Sequence, residues 1–412
     1  MADKLQSLSC NNGLDLKDFR GSEEERKVKS VLKMITTETD SPTPSFVNLV
    51  LQNSNAKDGA RFSDAYISLR LTHDCTEAFD TDYGNGYPKC GLVYLKDILN
   101  KGIIEDFLEH GVDAIQNRPR SEYQAFLVLL EFILEKRKHE ESITKLITTP
   151  TCSASEERDT HIMIGLIHHL FTQLVPYKKY TVHKNTKHLP KECGCGCQTK
   201  ICVGNTSIGS LWTWHGHVDV LFNDTVAMTY GRAPAGDAEE NKDDDTDEDE
   251  PHRKQRKLES GFNLLEPKIL KQIFAQTITN GFAQVNRKRS ALSHFLIPTF
   301  GVTSDSISIC LYDPDNDCLL HVREQLMLWC PGQLNLTTII VIWLFLNFTT
   351  FTQKNLAGVV DLDRSGLHLS LQQHLEYYRK ADISINFPST SVTVPPWKHV
   401  YLKPKVKKTN RE

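Results

Sequence analysis

The segment Trp214-His215-Gly216-His217-Val218-Asp219-Val220-Leu221-Phe222 sets one carboxylate in an apolar run, close behind a glycine. Val218, Val220 and Phe222 alternate with His217, Asp219 and Leu221, and period-two alternation predicts a strand. An aspartate inside such a strand is costly, because a buried charge requires a partner or a metal. Two readings of Asp219 follow. It is a metal ligand, or it is a structural carboxylate that caps a turn or pairs with His217.

The rest of the 412-residue chain supplies enough apolar material, 39% of residues, to bury a sizeable core. Residues 1–60 are polar, with Ser41-Pro42-Thr43-Pro44 as a breaker, and are expected to be loosely structured. Residues 61–150 are expected to be mainly helical. Tyr94, Ile98, Ile103, Phe107 and Leu108 recur at helical spacing, as do Tyr123, Phe126, Leu127, Leu130, Ile133 and Leu134 behind an N-cap at Ser121. A third helix carries Ile162, Met163, Leu166, Ile167, Leu170, Phe171 and Leu174. Its expected cap is Asp159 or Thr160, and it ends before Pro176.

From 151 to 390 the pattern is α/β. Pro267 suits the first turn of a helix with an apolar face of Ile269, Ile273, Phe274, Ile278, Phe282 and Val285. Leu296 to Val302 predicts a strand. Ser306–Tyr312 and Cys318–Val322 predict a hairpin closed by Asp313-Pro314-Asp315-Asn316-Asp317. The run Ile339 to Leu346 is strongly apolar but far shorter than the roughly 20 residues of a membrane span. A buried helix packed on the sheet is the expectation, and no membrane partner is implied.

Charge is distributed unevenly. The formal net charge is -4, yet Asp237 to Glu250 alone holds ten acids and one lysine, so the remainder is net basic. That acidic run and the basic Pro251–Lys257 behind it are expected to form a disordered insert over 233–257. The basic run either acts as a nuclear localisation segment or is a solvated loop. The tail from 391 to 412 is expected to be flexible and basic, available to a polyanion such as nucleic acid. No signal peptide is visible after Met1, which points to an intracellular protein, cytoplasmic or nuclear.

Eleven cysteines in such a protein favour free thiols or metal over disulfides. Cys193, Cys195, Cys197 and Cys202 form Cys-x-Cys-x-Cys-x4-Cys, four thiols of the kind that bind tetrahedral Zn²⁺. The alternative is a loop of reduced structural cysteines. His183 and His188 lie upstream and could replace one ligand, whereas His168-His169, on an apolar helix, reads as a packed or solvated pair.

The order helix, strand, Asp219 strand, acidic loop, Glu259, helix, strand resembles the PD-(D/E)XK nuclease superfamily. The likeness rests on Gly216-His217-Val218-Asp219 and on Gln272-Ile273-Phe274-Ala275-Gln276. That resemblance implies an α/β fold with a restriction-endonuclease-like αβββαβ core behind a helical N-terminal region. It further implies Asp219 and Glu259 as ligands of Mg²⁺ or Mn²⁺, and Gln272 or Gln276 near the active site. A metal held there would polarise a phosphodiester and lower the pKa of a bound water. The chain departs from the family at the lysine expected two residues past the second acid. Glu259-Ser260-Gly261 lacks it, and Glu266-Pro267-Lys268 places proline where a strand needs a backbone donor. Two functions stay open: a metal-dependent nuclease, or a degenerate nuclease fold kept for binding or scaffolding. A third reading, a zinc-stapled interaction module, rests on the cysteines alone.

Overall fold

Alternation along the apolar segments sorts their side chains to the two faces of one mixed sheet. The computed structural model describes residues 19–38, 43–71, 92–148, 155–231, 267–356, 360 and 362–385. Helix α1, Glu23–Thr37, leads into strand β1, Ser45–Ser54, and β2, Ile67–Leu71. After the short β3, Leu92–Tyr94, come α2, Lys101–His110, the long α3, Arg120–Thr148, and α4, Ser155–Leu166. Strands β4, Tyr180–His183, β5, Val203–Gly204, β6, Ser207–Gly209, and β7, Gly216–His217, follow. Next are β8, Val220–Phe222, β9, Val226–Tyr230, and α5, Pro267–Arg287. The series closes with β10, Ile297–Val302, β11, Ser306–Asp313, β12, Cys318–Val322, and α6, Leu336–Leu346.

The main sheet runs β2-β1-β12-β11-β10-β9-β8-β4-β5. Strands β4, β8 and β9 form an antiparallel series, and β10 joins β9 in parallel. Val220, Phe222, Val226 and Met228 pack with helices α1, α3, α4 and α6. Leu221 and Ala227 face the other way, with Ile273, Phe274 and Ile278 of α5. This is the period-two rule of a sheet covered on both sides. The apolar run near 340 is helix α6, and Ile339 to Phe345 are almost completely buried. No helix among the described residues is long and apolar enough to cross a membrane.

Several expectations shift. The segment expected to be loose holds α1 and β1, and β1 is an interior strand that pairs Phe46 with Val322 of β12. The signature was present: Ser22 accepts from the Glu25 amide at 3.0 Å, and Glu25 reaches back to the Gly21 amide, a variant of the capping box in which the glutamate takes the amide just before the cap residue. Strands β2 and β3 pair with β1, so the region 61–150 contributes to the same sheet as well as supplying helices. Helix α4 begins at Ser155, which places Asp159 and Thr160 inside the helix rather than at its cap. Helix α3 starts at Arg120, one residue before the expected cap Ser121. The expected hairpin is β11–β12, and the helix expected at Pro267 is α5. The insert 233–257 and the tail 391–412 lie outside the described residues.

Candidate metal centre and the Asp219 bend

The cysteine loop closes on itself before it meets anything else. The Cys193 amide donates to the Thr199 carbonyl at 3.0 Å, and Glu192 and Lys200 form a bridge across the loop base. Lys145 of α3 donates to the Cys195 carbonyl at 2.8 Å. The two glycines answer different constraints. Gly196 has φ +95°, and a Cβ on Gly194 would lie 2.8 Å from His161 Nδ1 and 3.2 Å from Leu146. A side chain at 196 is strained by the backbone, and one at 194 forces His161 or Leu146 to move.

Beneath this loop the helix that begins as α4 widens into a π turn over Ile167–Phe171. Such turns are rare and concentrate at functional positions. Here the turn carries His168 and His169 in sequence. His169 Nε2 lies 3.0 Å from Cys195 Sγ and 3.6 Å from Cys193 Sγ, and the two sulfurs are 3.5 Å apart. The Cys197 amide donates to Cys195 Sγ at 3.3 Å. Ligand atoms of His169, Cys193, Cys195 and Cys197 all fall within 4.8 Å of one another. His169, Cys193 and Cys195 are buried, and Cys197 opens to solvent.

The structure brings together three of the four expected cysteines and sets a histidine beside them. Cys202 stands outside the group; it is exposed, and its amide donates to the Tyr180 hydroxyl at 3.4 Å. Neither upstream histidine takes its place. His183 is held by Thr206 Oγ1 at 3.0 Å and stacks on His217, while His188 lies 3.9 Å from Glu156. His169, read from sequence as one of a packed pair, supplies the fourth donor. His168 does remain packed, edge-on to the His169 ring at 4.7 Å.

The ionisation of the four donors follows from their burial and neighbours. Burial, then the neighbouring His168, His139 and Lys138, push the His169 pKa down to about 3, so the imidazole is neutral and its lone pair is free to ligate. Burial pushes the Cys193 thiol well up. Burial also raises Cys197, but bonds from Thr199, Cys195 and Cys193 outweigh it and hold that thiol below its usual value. Cys197, the exposed member, is the donor that ionises most readily, and a bound cation would favour the thiolate form of its neighbours. Three sulfurs and one imidazole form a soft donor set of tetrahedral count, the composition of structural zinc sites. A zinc ion at about 2.3 Å from each sulfur implies sulfur–sulfur edges of roughly 3.8 Å, close to the 3.5 Å observed. The residues fit a metal ion.

No family model, curated protein or solved structure matches this chain.

Asp219, by contrast, does not sit within a continuous strand. Gly216–His217 pairs with β6 in a separate three-stranded sheet, and Val220–Phe222 joins the main one. Val218 and Asp219 are the bend between them. The cause is local. Gly216 adopts φ +142°, and the Asp219 carboxylate accepts the Tyr230 amide at 2.8 Å, bridging the end of β9. His217 is exposed, its ring stacked on buried His183 with centroids 4.0 Å apart.

Because Val220 pairs with Met228, Asp219 lies level with Thr229. Thr229 donates to Gln276 Oε1 at 2.7 Å, and Gln276 donates in turn to the His217 carbonyl at 3.2 Å. It is thus fully buried Gln276, and not the half-exposed Gln272 one turn earlier, that reaches the Asp219 neighbourhood. Glu259 lies outside the described residues, as does Glu266. Among the described residues the strand beside Asp219, Val226-Ala227-Met228-Thr229-Tyr230, carries no carboxylate.

Burial raises the Asp219 pKa, against the Tyr230 amide and His217, which lower it. A carboxyl raised above its unfolded value takes up its proton more readily in the native state. It destabilises the fold once pH exceeds both pKa values and leaves stability untouched below the unfolded one. Asp219→Asn, which keeps an acceptor for Tyr230, is expected to melt at or above wild type at pH 7. Its advantage should shrink as pH falls through the carboxyl's titration range. Thermal denaturation across pH tests this, and a variant less stable at pH 7 would show that the ionised carboxylate is favourably held.

Proposed function

We propose that this chain is a zinc-binding protein whose metal is structural, carried on a nuclease-like core that recognises its partner rather than cleaving it. The observation that carries the zinc assignment is the convergence of His169, Cys193, Cys195 and Cys197, three of them buried. Four protein donors leave no open position, the arrangement of a structural zinc site rather than a catalytic one. The metal would pin the loop before β5 to the π turn and to α3.

The nuclease-like reading draws support from chain order. Helix α4, antiparallel β4, β8 and β9, helix α5 and parallel β10 follow the αβββαβ sequence of the PD-(D/E)XK superfamily. The absence of chemistry draws support from the neutral Thr229–Gln276 pair level with Asp219. In the nuclease reading two carboxylates on neighbouring strands would hold Mg²⁺ or Mn²⁺, and the described neighbour of Asp219 supplies none. A hydrolase built on Asp219 and Glu259 is the second reading, favoured by the raised pKa of Asp219 at a sheet junction. Nucleic acid is the partner proposed, held through the basic run at 251–257 and the basic tail.

The deciding experiment incubates the purified full chain, beside Asp219→Ala, with plasmid DNA and single-stranded RNA in Mg²⁺, Mn²⁺ or EDTA. The expected result is retarded mobility with both proteins and no divalent-dependent cleavage with either. Cleavage by wild type that disappears in Asp219→Ala would replace this reading with the hydrolase.

A further inference from the structure

The candidate metal centre does not end at its four ligands. His139 of α3 faces His169 across the helix pair, with the two Nδ1 atoms 3.3 Å apart. The His139 ring lies parallel to Phe132, centroids 5.3 Å apart, and is 5% exposed, so its orientation is set by packing. Its other nitrogen, Nε2, points toward the Glu135 carboxylate at 3.7 Å. Glu135, His139 and His169 therefore form a line that ends at the cysteine sulfurs.

Resting on the zinc reading above, we infer that His139 is a positioning residue that fixes the tautomer and ring angle of His169, with Glu135 behind it. A neutral imidazole that ligates through Nε2 carries its proton on Nδ1. That proton faces His139 Nδ1, which accepts it only if His139 is protonated on Nε2. His139 in that tautomer directs its own N–H at Glu135. One arrangement of protons satisfies the whole line, and it is the one that leaves the His169 lone pair aimed at Cys195 and Cys193. The reverse arrangement, with His139 donating from Nδ1, places the His169 proton on Nε2, among the sulfurs, and blocks ligation.

Partners of this kind orient metal-bound histidines and raise their basicity, and their removal costs about 10- to 100-fold in metal affinity. The line also accounts for the π turn. An ordinary α turn advances about 100° per residue, and the widened turn lets His169 meet Cys195 on one side and His139 on the other.

The test measures zinc affinity of the full chain by competition with a chromophoric chelator, together with the d–d absorption of the Co²⁺-substituted protein. His139→Phe keeps a flat ring against Phe132 and removes the acceptor. It is expected to weaken zinc binding about 10- to 100-fold and to shift the Co²⁺ bands. His139→Asn, which returns an acceptor near the Nδ1 position, should recover much of the affinity. Wild-type affinity and an unchanged Co²⁺ spectrum in His139→Phe would overturn the positioning role and leave the zinc reading standing. No zinc bound by wild type would overturn both. Should His139→Phe not fold, Glu135→Gln carries the test from the half-exposed end of the line. Severalfold weaker binding supports the role, and unchanged affinity overturns it.

Discussion

Replacing Cys195 with serine is expected to abolish zinc binding and to remove about 4 kcal/mol of stability when free zinc exceeds the dissociation constant a thousandfold. Cys195 is the hub of the cluster: its sulfur meets His169 Nε2, Cys193 Sγ and the Cys197 amide. A serine hydroxyl is not ionised near neutral pH and is a poor zinc ligand, so three protein donors remain and the closed four-donor site is broken at its hub. Without the metal, the loop is held by the Thr199 and Lys145 contacts and by a small apolar cluster with Leu146. A chelator should impose a loss of similar size on wild type and none on the variant. Equal stability of the two proteins in zinc, measured by urea denaturation, would mean that the cluster is a set of reduced cysteines.

A comparably large effect is expected far from the metal. Trp343→Ala should cost about 4 kcal/mol, within the range for deleting a buried aromatic side chain. Trp343 sits in the middle of α6 with 0% exposure. Its indole N–H donates to the Ala125 carbonyl of α3 at 2.6 Å, and its ring packs on Phe351 at 4.2 Å and Phe126 at 5.3 Å. The substitution opens a cavity between α3 and α6 and strips the carbonyl of its indole donor. Both terms destabilise, and a void among large aromatic side chains collapses only in part. Zinc stoichiometry of the variant should be unchanged wherever it folds. A loss under about 1 kcal/mol would contradict the packing assigned to α6, because cavity terms alone exceed that.

The long-period features were legible in the chain. Regular apolar spacing gave α3 and α5, short apolar runs bounded by turn residues gave β10 and the β11–β12 hairpin, and the length of the 339–346 run separated a buried helix, α6, from a membrane span. Position 219 was misread because alternation is a local signal, whereas the break there depends on the Tyr230 amide 11 residues away and on the backbone of Gly216. Spacing within 193–202 located the loop that enters the cluster but offered Cys202 where the structure brings in His169. The missing donor is 24 residues upstream of Cys193, on a helix whose apolar pattern disguised it. The adjacent pair His168-His169 was the available signal: two polar residues inside an apolar helix raise the question of what they face. The N-terminal helix was missed for a different reason. Its apolar positions Val28, Leu32 and Ile35 are few, and its capping box at Ser22–Glu25 was hidden among charged residues.

The most direct test of the account is metal content. The full chain, purified without added metal, should be measured by elemental analysis and by native mass spectrometry, beside Cys202→Ser and His169→Ala. One zinc per chain is expected in wild type and in Cys202→Ser, and none in His169→Ala. Zinc lost from Cys202→Ser but kept by His169→Ala, or no stoichiometric metal in wild type, would contradict it.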